Sequence, residues 1–355
     1  MPVRIYAETE FWFASIKVIM IIGLLLLSII LALGGGPNGD RIGFRYWSHP
    51  GAMNEYLVGG AAGRFCAFIY SLTFSVFSFN FGAAKTFIWR LITFYILGAL
   101  AIGIICRSDA QGLTAGGYGA AASPWVIAIK QSGIQLLYSV INAGIICSAW
   151  SSGNSYLFMS SRSLYSLSVS GNAPAVFQRC TKYGIPIYAI AASSLFGLLA
   201  YLNVSSSSSL VFNWFINLTN TAGFTSWTCC GIILLRFRKA CKAQGITNLP
   251  FQSRLHPYAA WGCICIFSTL LLLNGFSVFF PGHWSVSSFL TAYLGFPVFL
   301  TIYFAHRIWD RKSKWLISPN EVDLTSGLDA VLAAEETEEV GASRGKLTKL
   351  KAFLF

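Results

Sequence analysis

Between Ala110 and Trp309 the chain contains no aspartate and no glutamate, a stretch of 200 residues. Charged residues make up 11% of the whole, against about a quarter in an ordinary soluble domain. A soluble fold with so long a carboxylate-free stretch would be exceptional. A Ser/His/Asp hydrolase site in this stretch would lack its acid. No CxxC occurs among the nine cysteines, and Cys263 and Cys265 stand at a spacing that does not suit zinc. The four histidines (49, 256, 283 and 306) are isolated, so no metal site is expected. The cysteines read as small apolar side chains within helices. HExxH, GxSxG, P-loop and GxGxxG motifs are all missing, so the sequence does not read as an enzyme.

Apolar surface is plentiful. Hydrophobic residues reach 55% of 355, and the mean hydropathy is +0.61. One globule cannot hide that much, so a polytopic membrane protein is expected. The net charge of +12 would suggest nucleic acid in a soluble protein. Here the basic residues fall between apolar blocks, which points to membrane topology and to no nucleic-acid partner.

Eight spans are expected, at 11–33, 65–82, 87–106, 134–160, 186–203, 210–235, 258–281 and 287–308. Runs of 18 or more apolar residues indicate helices, because barrel strands would alternate every second residue. The first run carries Lys17 and is too long for a signal-peptide core. Spans two and three are joined only by Gly82-Ala-Ala-Lys85-Thr86. Read as one helix, 65–106 would reach about 63 Å, twice the bilayer core, so a turn is expected near Gly82 and Lys85.

With the N-terminus in the cytoplasm, the outer side holds Arg41, Arg45, Arg64, Arg107 and Lys130. The inner side then holds the other 20 of the 25 Lys and Arg residues. The reverse orientation would break the positive-inside bias, so both termini are expected to be cytoplasmic. Residues 1–313 form the expected membrane domain and 314–355 a largely exposed tail with one or two short helices. The last ten residues read either as an amphipathic membrane-surface segment or as a frayed, solvated end.

The fourth and sixth spans are unusually polar. The fourth runs Ser139-Val-Ile-Asn142-Ala-Gly144 through Ser148 to Asn154, and the sixth runs Asn213 through Asn217, Asn220 and Thr221 to Trp227. Small and amide side chains there can serve close helix packing. They can equally hydrogen-bond a polar solute in a low-dielectric site. In the second span, Ser75-Val-Phe77-Ser78-Phe79-Asn80-Phe81-Gly82 could end in a helix break that exposes backbone groups, or in the turn already required.

Several blocks resemble the fungal amino-acid permeases of the amino acid–polyamine–organocation superfamily. Among them are Glu10-Phe-Trp-Phe-Ala-Ser-Ile-Lys17, Gly34-Gly-Gly-Pro37, Ser148-Ala-Trp-Ser-Ser-Gly-Asn154, Gly171-Asn-Ala-Pro174, Val211-Phe-Asn-Trp214 and Glu321-Val-Asp-Leu-Thr-Ser-Gly-Leu-Asp329. The similarity covers about residues 5–330. It implies proton-coupled amino-acid uptake at the plasma membrane by alternating access, with no other cofactor. It also implies a twelve-helix fold with ten helices in a five-plus-five inverted repeat. The eight spans would be helices five to twelve.

Against that pattern the first four helices are missing, as are some twenty to thirty residues after Phe79, among them a Gly-Thr-Glu break. The chain is thus expected to be an N-terminally truncated permease with an internal deletion. The resemblance implies substrate contacts from Ser75, Ser78 and Phe79, from Asn142 and Ser148, and from Asn217 and Thr221. These would hydrogen-bond the amino acid and shape its side-chain pocket. The alternative is a non-transporting relative that acts by association with full-length permeases in the lipid bilayer.

Overall fold

A computed structural model of the chain describes residues 3–37, 39–75, 85–110, 113, 123–204, 208–246, 255–309, 315–324 and 326. Among these residues the fold is all helical, with no strand. The contacts divide the chain into two units. One draws on Met1–Asn54 and Ala84–Ser209, the other on Glu55–Ala83 and Leu210–Leu350.

The first unit is built on α1 (Val3–Ala32), α3 (Lys85–Ile105), the short α4 (Pro124–Gln131), α5 (Gln135–Val169) and α6 (Ile187–Gly197). The helix covering the expected first span starts eight residues early, at Val3. It stops where Gly34 takes a left-handed φ of +91° and the Gly35 N–H bonds back to Ile30 O at 2.8 Å. This closure satisfies carbonyls that the helix end would leave bare. α5 runs 35 residues, nine beyond the expected span, and ends in the same way. Gly171 has φ +78°, and the Asn172 N–H reaches Leu167 O at 2.9 Å. α1 packs along both α3 and α5. α4 begins with Pro124 in the first turn, where its missing N–H is harmless, and buries Val126 through Ile129 against Leu24, Leu31, Ile105 and Ile141.

The second unit holds α2 (Gly60–Ser75), α7 (Ser208–Ala243), α8 (Tyr258–Leu273), α9 (Val286–Tyr293) and α10 (Gly295–Trp309). Its core is Phe224, Leu270 and Leu271, flanked by Trp227 and Phe267. α9 and α10 form one apolar run bent by 46°. Pro297, in the first turn of α10, has no N–H for the Tyr293 carbonyl, which accounts for the break.

By length and composition, Ile5–Ala32 is the one described helix that could cross a membrane unaided, and the bent pair α9–α10 is a second if taken as one span. Large apolar side chains line the outside, with Trp150 71% and Phe196 73% exposed. Apolar patches of that extent call for lipid or a partner. Cys147, Cys180, Cys230, Cys263 and Cys265 are on this surface, while Cys106 and Cys241 are buried.

The expected exposed tail is described over only its first part, and most of that part is exposed. Residues 315–324 contain no helix and are tied to α7. Arg236 Nη2 donates to Ile317 O at 3.0 Å, and Gln244 Nε2 donates to Pro319 O at 2.9 Å and to Val322 O at 2.8 Å. The expected turn at Gly82 and the extreme C-terminus lie outside the described residues.

Candidate functional site

In the first unit, Tyr6, Glu10 and Lys17 recur at spacings of four and seven, which puts them on one face of α1. Facing them, α5 presents Ser151, Ser155 and Phe158. Ser151 is completely buried. Its hydroxyl accepts from Lys17 Nζ at 2.8 Å and lies 3.0 Å from both Glu10 carboxylate oxygens, to which it donates. The ammonium and carboxylate are themselves 3.8 Å apart, and each side chain is about a third exposed. The ladder continues with Tyr6, whose hydroxyl donates to Ser155 Oγ at 3.1 Å and whose ring stacks on Phe158 at 4.1 Å. The buried hydroxyl thus bridges the charged pair and gives each ionised group a partner.

Gly144 gives α5 room to approach α1, since a Cβ there would lie 2.5 Å from Met20 Sδ. Two of the residues expected to bind substrate, Asn142 and Ser148, are on this same helix. Both are half-buried. The Asn142 Oδ1 is shielded from solvent and has no hydrogen-bond partner among the described residues. A buried amide oxygen left open costs about 1–3 kcal/mol, so it is a place where a ligand donor would be rewarded.

In the second unit, Asn217 and Thr221 come together, one turn apart on α7. Thr221 is buried, and its hydroxyl lies 2.9 Å from both Asn217 O and Ala292 O. Asn274, just past α8, donates from Nδ2 to Asn217 O and Thr221 Oγ1, both at 3.1 Å, and to Ala292 O at 3.4 Å. Ala292 is in the last turn before the α9–α10 break, so these side chains supply partners to backbone that the break exposes. A Cβ on Gly295 would sit 2.9 Å from Thr221 Cγ2, so the glycine permits this close approach. The Oδ1 atoms of Asn220 and Asn274 are buried and without partners among the described residues.

Ser75 is at the end of α2, with its hydroxyl donating to Leu72 O at 2.8 Å. It lines an apolar groove of about 600 Å³ with Trp227, Cys230, Cys263 and Phe267. Ser78 and Phe79 lie outside the described residues.

Sequence reasoning missed Glu10, Lys17, Ser151 and Asn274 as site residues. The signal for the first two was present: they are a carboxylate and an ammonium seven apart in or beside an otherwise apolar run. Asn274 was marked by being a lone amide after Leu270–Leu273.

The amino acid permease family model matches residues 1–84 and 80–317. The chain belongs to the amino acid permease family. It is therefore a member of a transporter family and not an enzyme. It is 46% identical to a proline-specific permease of Emericella nidulans, covering 92% of this chain and 64% of the relative. It is 40% identical to the proline-specific permease of Saccharomyces cerevisiae (96% and 58%) and 40% identical to a probable proline-specific permease of Schizosaccharomyces pombe (98% and 68%). The chain thus spans under two thirds of the length of the first two. No solved structure matches it.

Two details bear on the continuity of these matches. The family match falls into two blocks that meet at residues 80–84. The last two alignments run over 368 and 373 positions, more than the 355 residues of the permease chain itself. These relatives therefore carry residues with no counterpart here.

Proposed function

We propose that the chain carries the amino-acid translocation function of its family, with proline as the first substrate to test. The observation that carries this reading is the 46% identity to a proline-specific permease, against 35% to a dicarboxylic amino acid permease and 31% to a basic amino-acid permease. The membrane domain is 1–313, followed by the tail 314–355, with both termini cytoplasmic and the plasma membrane as destination. α1, α2, α3, α5, α6, α7, α8 and the bent pair α9–α10 are the family's fifth to twelfth helices.

Asn142, Ser148, Asn217, Thr221 and Ser75, with Ser78 and Phe79, contact the amino acid, and alternating access moves it across. Coupling to protons needs a titratable group within the membrane. The Glu10–Lys17–Ser151 cluster supports that step, because it is the charged pair that α1 and α5 hold on a buried hydroxyl.

The test is uptake of labelled proline by a yeast strain stripped of its own proline permeases. The chain should restore uptake, excess glutamate or lysine should compete poorly, and Asn142→Ala and Ser148→Ala should each reduce uptake. The similarity does not favour the other reading, a partner of full-length permeases. Well-expressed chain that gives no uptake alone, yet co-purifies with a full-length relative, would select that reading.

A further inference from the structure

The C-terminal ends of α7 and α10, with the segment 315–322, enclose a cleft of about 870 Å³ in the second unit. Three cations line it. Arg236 and Lys239 stand three apart on α7, and Arg307 is in the last turn of α10. Among the described residues one carboxylate, Glu321, lines it too. Part of the wall is apolar and accessible: Ile233 is 63% exposed and Trp315 58%. Tyr303 carries the Arg307 guanidinium over its ring at 5.6 Å. The floor is fixed, because the Arg236 guanidinium also donates to Ile317 O.

We infer that this cleft binds the headgroup of an anionic phospholipid of the inner leaflet. Guanidinium groups match phosphate oxygens with parallel hydrogen bonds, and an ammonium adds charge. Tryptophan and tyrosine settle at the boundary between headgroups and acyl chains. Basic clusters beside the cytoplasmic ends of membrane helices attract anionic lipids. A soluble anion would use the cations but leave Ile233 and Trp315 facing water. A lipid uses both walls at once, phosphate on the cations and glycerol and upper acyl carbons on the apolar side. The inference rests on the cytoplasmic placement of these helix ends proposed above, and on no part of the transport reading.

The full chain, purified in mild detergent, is mixed with equal phosphatidylserine and phosphatidylcholine, and retained lipid is counted by native mass spectrometry. Wild type should keep phosphatidylserine in preference. Each cation changed to glutamine should cut that preference by about fivefold, so Arg236→Gln/Lys239→Gln/Arg307→Gln should abolish it. Arg236→Lys, which keeps the charge and a donor for Ile317 O, should retain most of it. Lys182→Gln, an exposed cation of the first unit, should leave it unchanged.

The inference is overturned if wild type shows no preference, if the triple variant keeps it, or if Lys182→Gln lowers it as much. Should the triple variant not be recovered monodisperse, Lys239→Gln alone must lower the preference, and no reduction overturns the inference. Displacement of phosphatidylserine by millimolar inorganic phosphate would make this a soluble-anion site and overturn the lipid assignment. Because no substrate is present, failure here leaves the uptake experiment untouched.

Discussion

The two long helices α5 and α7 use similar residues for different ends. On α5, Ser151 is buried between a carboxylate and an ammonium supplied by α1. On α7, Thr221 is buried among neutral groups and turned to the carbonyl of Ala292 beside a broken helix. A hydroxyl inside a membrane protein has to be satisfied, but what satisfies it differs. In the first unit the partners are a carboxylate and an ammonium. In the second they are backbone carbonyls beside a helix break.

The largest expected effect comes from breaking the charged face. Lys17→Met leaves Glu10 without its cation. Uptake should be lost, and stability should fall by about 2 kcal/mol, a value discounted from fully buried pairs because both side chains are a third exposed. Glu10→Gln should instead preserve folding while flattening the dependence of uptake on external pH. Uptake that keeps its pH profile in Glu10→Gln would remove the cluster from coupling.

Next comes the neutral face. Thr221→Val keeps the volume but strips the hydroxyl, leaving Ala292 O to the longer Asn274 bond. A loss of about 1–2 kcal/mol is expected in a thermal melt. If Thr221 only supports the bend, uptake should fall no further than stability explains. A larger fall, with a raised KM, would assign it to substrate.

Asn142→Leu separates packing from binding. Removing an unpartnered buried oxygen should raise the melting temperature, and if Asn142 meets substrate it should lower uptake at the same time. A variant that gains stability and keeps full uptake would make Asn142 a packing residue.

The smallest effect belongs to the loop ion pairs. Hydrogen bonds from Arg45 hold the Asp40 carboxyl below the usual carboxylate range, and Arg107 does the same for Asp109. Their stabilisation is present above the ordinary carboxylate pKa and disappears as the pH falls through the lowered one. Both pairs are fully solvated, so Asp40→Asn should give no resolvable change in a melt at neutral pH.

The helices were legible because uninterrupted apolar runs leave the backbone no partner but itself. Their ends were less so. α1 extends back to Val3 and α5 on to Val169, because polar turns at a helix end carry no apolar signal yet continue the same hydrogen bonding. The family was legible from blocks such as Gly34-Gly-Gly-Pro37. Asn217 and Thr221 were singled out from the sequence and do lie together, but their engagement with Ala292 was not readable, since the bond from Thr221 spans 71 residues.

Taken alone, the sequence determined that the chain is helical, apolar and of the permease family, because composition, periodicity and local motifs are written residue by residue. Only the tertiary structure decided which polar side chains meet. Ser151 finds Lys17 across 134 positions, and Arg236 finds Ile317 across 81. Such pairings follow from how helices pack and where they bend. A buried polar group binds the nearest partner in space, whatever its place in the chain.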